Sequence, residues 1–230
     1  MKKLLLLLIC FTFISAAYSA ETIGSVKKFT GKVQIFDGSS PRGTDIKTDN
    51  TSFALMSKIS TKRTSTAVIE LNSGDKIALD ENSIASFGKN NKINPESGKV
   101  VFSIKKRGGE SGVSIGLKTA VIGVKGTQFL VDMTDDGKCN VYLKEGVISV
   151  ESKEGDFKKH KEVVMDEYEA YLKKMTGEYD QYLAELQKEY TEFVKSFDMT
   201  AGQAISIDGQ DVSDVKFDEA AEAAFSLLDQ

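Results

Sequence analysis

The sequence predicts a mainly β protein with a long amphipathic helix, or a helical hairpin, in its second half and a short helix at its end. Three observations carry that expectation. From Ser65 onward, short apolar runs recur every eight to twelve residues, with turn residues at Gly74, Asn90-Asn91, Gly98, Gly108-Gly109 and Gly116. Strands separated at this spacing describe a sandwich, a barrel or a β-solenoid-like stack, and spacing alone does not choose among them. Second, residues 167–199 repeat an eleven-residue unit: EYEAYLKKMTG, EYDQYLAELQK, EYTEFVKSFDM. Third, residues 217–228 read FDEAAEAAFSLL. This is an Ala-rich stretch with acids in its first turn, where the helix dipole favours them.

The chain begins with Lys2 and Lys3, continues through an apolar core at Leu4–Ile14, and reaches small residues at Ser15–Ala20. That order describes a secretory signal peptide over 1–20, too short to span a bilayer, which needs about 20 apolar residues. Cleavage after Ala17, Ser19 or Ala20 fits equally. Cys10 follows Ile9, which is not the small residue a lipid-attachment site requires, so a lipid anchor is not expected. The rest of the sequence has no apolar run of spanning length. The mature chain is therefore expected to be periplasmic, without a membrane span. Cys139 is then the one remaining thiol, read as a small filler in a strand; the sharper alternative is an intermolecular disulfide.

About 210 mature residues suffice for one sizeable core with an appendage. With 40% hydrophobic residues, two Pro and no Trp, collagen-like and Pro-rich classes are excluded. Charge is uneven. Residues 24–152 carry 19 Lys+Arg against 14 Asp+Glu, a balance of +5; residues 153–230 carry 9 against 19, a balance of −10. Docking of one half on the other is the simpler reading of such a split. Lys105-Lys106-Arg107 followed by Gly108-Gly109 reads as a solvated loop. No basic stripe interleaves with aromatics, so nucleic acid is not an expected partner.

The β region opens with GSVKKFTGKVQIF, where Val26/Phe29 and Val33/Ile35 alternate about Gly31. Asp37–Pro41 is a loop, and Ser52–Thr64 has too little periodicity to assign. STAVIELNSGDKIALDENSIASF (65–87) reads as strand, turn at Asn72–Asp75, and strand; SGKVVFSI (97–104) follows. The most ordered stretch is Leu117–Val150, LKTAVIGVKGTQFLVDMTDDGKCNVYLKEGVISV. Its apolar runs are punctuated by Gly126, Asp135-Asp136-Gly137 and Glu145-Gly146, as in strands joined by tight turns.

These pieces, in this order, resemble the periplasmic domain called FecR. Its pattern is an apolar strand, Gly-Thr-x-Phe-x-Val, a polar turn, and a strand ending in Glu-Gly-x-Val-x-Val. Val121, Val124, Gly126, Thr127, Phe129, Val131, Val141, Glu145, Gly146, Val147 and Val150 match it, and the resemblance runs from about Gly24 to Val150. It implies a compact all-β domain of two sheets with some solenoid character, and a fold-holding role for Gly126, Thr127, Phe129, Glu145 and Gly146.

The departure comes after Val150. Apolar positions at Val164, Tyr168, Tyr171, Met175, Tyr179, Tyr182, Leu186, Tyr190, Phe193 and Phe197 advance by about 3.67 residues per turn. They predict an amphipathic, coiled-coil-like helix over 158–199, about 55 Å long if unbroken. Gly177 is either a tolerated weak point or the bend of a hairpin. Ala201-Gly202-Gln203 is similar to the start of a strand that follows soon after the Glu-Gly-x-Val strand in FecR-like domains. The expected division is therefore signal peptide 1–20, β domain 21–157, helical insertion 158–199, and closing strands with a short helix 200–230. The Tyr-rich stripe is expected to pack on the β domain. Read functionally, Tyr168, Tyr171, Tyr179, Tyr182, Tyr190 and Phe193 form a candidate partner face, since aromatics of this kind are enriched in binding surfaces. The acidic polar face argues against membrane-surface insertion.

No chemistry is expected. His160 is the one histidine and has no Cys or carboxylate at metal-ligand spacing in sequence, so it is read as inert. No Ser-His pairing or phosphate loop is visible. Asp208, Asp211 and Asp214 lack the EF-hand order. No cofactor, metal or catalytic residue is assigned. The family's regulators receive a signal from an outer-membrane receptor and pass it through a membrane helix to a cytoplasmic segment acting on a sigma factor. Neither helix nor segment is found here. The resemblance thus implies a non-enzymatic, exported protein-binding module with an envelope protein as partner. The alternative is an envelope scaffold that self-associates through the Tyr-rich helix or binds glycan.

Overall fold

The structure, a computed structural model, describes residues 21–38, 40–106, 112–134, 136–160, 171, 174–175 and 191–229. Strands follow one another from the start: β1 (Thr22–Thr30), β2 (Val33–Phe36), β3 (Thr44–Asp45), β4 (Thr51–Ala54), β5 (Lys58–Thr61), β6 (Thr66–Leu71), β7 (Lys76–Leu79), β8 (Ile84–Phe87) and β9 (Lys92–Ser103). They continue with β10 (Val113–Gly116), β11 (Ala120–Val124), β12 (Gln128–Met133), β13 (Cys139–Glu145), β14 (Val147–Ser152) and β15 (Phe157–His160). The last four are β16 (Thr191–Val194), β17 (Ser196–Thr200), β18 (Ala204–Asp208) and β19 (Asp211–Asp214). A helix, α1 (Glu219–Ala224), and a 3-10 turn (Phe225–Asp229) end the described chain.

Backbone pairing arranges the strands as two facing leaves. Leaf A runs β4-β1-β6-β7-β9-β12-β13-β18-β19-β15-β16. Leaf B runs β3-β2-β5-β8-β9-β10-β11-β14-β17. All pairs are antiparallel except β9–β10 and β15–β19. Because strand numbers mostly climb in the same direction along both leaves, the sandwich has the solenoid-like progression that the resemblance implied. It is not a barrel: among the described residues β3, β4, β16 and β17 each pair on one side only.

Strand β9 belongs to both leaves. Its first half pairs with β8 and β10, its second with β7 and β12. The crossover falls at Gly98, at φ +69°, where an added Cβ would lie 2.4 Å from Ser83 Oγ and 2.9 Å from the Asn82 carbonyl. A left-handed conformation and so close a neighbour together require glycine. Buried Ser83 secures the crossover, its Oγ accepting the Lys99 N–H at 3.0 Å.

The main core lies between the leaves and includes Val26, Ile69, Phe102, Ile115, Phe129 and Val150. A second apolar cluster sits on the outer face of leaf A, where Val68, Ala78, Val101, Leu130 and Tyr142 meet Ala221, Ala224, Phe225 and Leu228. The central strands of leaf A are therefore buried on both faces, and their sequences read as continuous apolar runs. Asp218 caps α1, its carboxylate accepting the Ala221 N–H at 2.7 Å. Lys144 pairs with Glu222 at 2.5 Å and sits 5.0 Å from the Phe225 ring centroid. Here the basic first part and acidic last part of the chain do dock.

The helix expected over 158–199 is corrected at both ends. Lys158–His160 belong to β15, and residues 191–200 form β16 and β17. Phe193, Val194 and Phe197 have a spacing that suits a helix face, but it suits two strands bent at Lys195 equally well. Val194 and Phe197 both pack against the interlayer core, and Phe197 meets Phe157 edge-on at 5.7 Å. Pairing with β15 and β14 then satisfies the backbone. Tyr171, Lys174 and Met175 are helical and exposed. Tyr168, Tyr179, Tyr182, Tyr190, Gly177 and most of the eleven-residue repeat lie outside the described residues, as does the leader, 1–20. No described helix is long and apolar enough to cross a membrane. The unassigned stretch 52–64 holds β4 and β5 about a turn at Leu55-Met56, and Ala201-Gly202 is the turn before β18.

Candidate functional site

Two places emerge from the residues singled out in sequence. The first is where Gly126-Thr127 meets Glu145-Gly146. Gly126 has φ +74° and would drive a Cβ to 2.8 Å from Lys106 Cα; Gly146 has φ +90° and would drive one to 2.6 Å from Thr127 Cγ2. Thr127 exchanges backbone hydrogen bonds with Ile104 at 2.9 and 3.0 Å, extending the β9–β12 ladder. Phe129 stacks on Phe102 with centroids 4.8 Å apart. The Thr127 hydroxyl is buried with no hydrogen-bond partner among the described residues, and its methyl is the part seated on Gly146. Four of the five residues interlock two turns and the strand between the leaves; Glu145 is exposed at the rim.

The second place is the far end of leaf A. The β15–β16 hairpin pairs Phe157 with Val194 and His160 with Thr191, so the chain leaves this hairpin and re-enters it at one point. On its outward side Phe193 is 65% exposed, a large aromatic that the core does not use. Tyr171 and Met175 are also exposed. β16 has one paired side among the described residues, and an open strand edge is a template for a further strand.

His160 joins three strands at this end. Its Nε2 lies 3.1 Å from Asp211 Oδ1 and its Nδ1 3.3 Å from Thr191 Oγ1, so it ties β15 to β19 and β16. Asp211 is distant in sequence, and only the parallel β15–β19 register brings the two together. The group sits on an open face, with the His160 side chain 43% and that of Asp211 55% exposed, as suits a clasp between strands. Asp208 and Asp214 lie on the β18–β19 hairpin, with Asp208 at 4.0 Å from Lys138. Among the described residues no three His, Cys, Asp or Glu side chains converge as metal ligands would. Cys139 is buried in β13, and burial pushes its thiol up to about 12, which suppresses thiolate chemistry.

A family model described as FecR protein matches residues 57–149, from the turn before β5 into β14. No curated protein matches the chain. Among solved structures, the chain is similar to a candidate anti-sigma factor from Parabacteroides distasonis. Identity is 12%, the TM-score is 0.50, and the match covers 74% of this chain and 64% of that one. A second crystal structure so described, from the same organism, matches at 12% identity and TM-score 0.48 over 73% of this chain and 63% of that one. This chain thus spans slightly under two thirds of the length of those chains, and the first likeness is one of fold. The family match covers both interlocked turns, with Gly126, Thr127, Phe129, Glu145 and Gly146 all inside it. Residues 57–149 thus carry the match to the FecR domain, and with it both interlocked turns.

Proposed function

We propose that this protein is an exported, periplasmic, non-enzymatic module that receives a signal by binding a protein partner of the cell envelope. A FecR domain and a fold shared with a candidate anti-sigma factor fit a regulatory, signal-receiving role. The leader-like start of the sequence supports export. The observation that carries the reading is the β15–β16 hairpin, which presents exposed Phe193 beside a strand edge unpaired among the described residues. It also carries the segment holding Tyr168, Tyr171, Tyr179, Tyr182 and Tyr190. An aromatic anchor with a polar surround, Lys158 across from it and Glu192 beside it, is the composition of a protein-binding patch.

The test is a pull-down from intact envelopes after crosslinking. It compares the native chain with one in which residues 161–190 are replaced by a short Gly/Ser turn that leaves the His160–Thr191 pair in place. Capture of a distinct envelope protein by the native chain, lost with the segment while the β sandwich stays folded, is the expected result. Recovery of this chain alone would favour the scaffold reading, for which the one-sided pairing of β16 and β17 offers edges to a second copy.

A further inference from the structure

At one mouth of the sandwich, away from β15 and β16, the leaves part to leave a cleft of about 530 Å³. The turn between β6 and β7 forms its leaf A wall and the turn between β8 and β9 its leaf B wall. Leu71, Leu55, Phe87 and Ile93 contribute an apolar floor. A volume of this size, apolar below and polar above, is that of a small-molecule site.

The walls are already set. Asp75 is fully buried, and its carboxylate accepts the Ser73 hydroxyl at 2.6 Å and the Lys105 N–H at 2.9 Å. Asn72 donates its side-chain amide to the Thr22 carbonyl at 2.7 Å. Opposite, Asn90 and Asn91 both hold positive φ, +58° and +54°, the geometry of a tight two-residue hairpin turn. The Gly88 N–H closes that turn on the Lys92 carbonyl at 2.7 Å. A guest would therefore meet a cleft that needs little ordering, which lowers the entropic penalty of binding.

The lining holds opposite charges: Glu21, just before β1, and Lys89 in the β8–β9 turn, next in sequence to the neutral amides of Asn90 and Asn91. An ammonium at Glu21, a carboxylate at Lys89, an amide between them and apolar side chains against Leu55, Leu71, Phe87 and Ile93 would complement these groups. We infer that the cleft binds a short apolar peptide with both ends free. The space lies within the usual range of ligand pockets and suits a peptide of a few residues. Lys92 also lines the cleft, but its side chain runs to Gly116, where a Cβ would lie 2.8 Å from its Cε.

The test titrates the isotopically labelled protein with Leu-Leu, with Leu-Leu amide and with N-acetyl-Leu-Leu, following amide shifts by NMR. Leu-Leu is expected to move Leu71, Gly88 and Asn90 in a saturable way. Lys89→Glu, on an exposed turn, should weaken Leu-Leu at least tenfold while leaving the weaker Leu-Leu amide within twofold. Glu21→Gln should act likewise on the free amine, sparing the acetylated peptide. No saturable shift at millimolar Leu-Leu would overturn the proposal. Equal binding of free and blocked peptides, or an unchanged affinity in Lys89→Glu, would overturn it too.

Discussion

In leaf A, Val101, Leu130 and Tyr142 point away from the interlayer core and are still buried, because α1 and the turn after it lie across them. In leaf B, the outward residues of β14 are Val147, Ser149 and Glu151, all exposed, while Ile148, Val150 and Ser152 are buried. The two leaves share β9 and a core, yet the central strands of leaf A are covered on both faces and β14 of leaf B on one. The cover of leaf A comes from the last residues of the chain, and β18, from the same region, pairs with β13. The matched FecR segment is thus completed by residues well beyond it in sequence, at both its edge and its outer face.

This contrast sets a ranking of effects. Removing the ring shared by both leaves should do most harm: Phe129→Ala is expected to destabilise by about 4 kcal/mol in chemical denaturation. Uncovering leaf A should come next. Phe225→Ala is expected to lose about 3 kcal/mol and to raise binding of an apolar dye, as Val101 and Leu130 become accessible. Covering also burdens a charge. Asp132 is half-buried on β12, and burial raises its carboxyl above the ordinary range, offset in part by Lys99. A carboxyl raised in the folded state binds its proton there at higher pH than in the unfolded chain. Stability is therefore lost as pH rises through that range. Asp132→Asn should melt higher than the native protein at pH 7, and the gain should vanish in acid where both states are protonated. On the open side, Ser149→Lys should change stability by no more than about 0.5 kcal/mol. A loss there comparable to that of Phe225→Ala would mean that leaf B is covered as well.

The same contrast explains what could be read from the chain. The alternation of Val147–Ser152 states directly that one face is wet. The runs Val100–Phe102, Phe129–Val131 and Val141–Leu143 were legible as strands, but not that their second buried face waits for Phe225 and Leu228. The Gly-Thr and Glu-Gly pairs were legible as turns; their mutual contact needed coordinates. Residues 191–199 misled because spacings of three and four fit a helix and also two strands bent at Lys195. Backbone pairing decides between them, and no local pattern records it. His160 and Asp211, like the cleft walls around Leu71 and Phe87, converge only through the register of the sheets.

The claim that the β15–β16 end of leaf A is the partner-binding end is tested most directly by site-specific photocrosslinking in intact cells. A photoreactive residue is placed at Phe193 or, as a control on leaf B, at Ser149, and the adducts are identified by mass spectrometry. The expected result is one envelope protein other than this chain, captured at Phe193 and not at Ser149. Adducts at Ser149 with none at Phe193, or adducts only between copies of this chain, would contradict it.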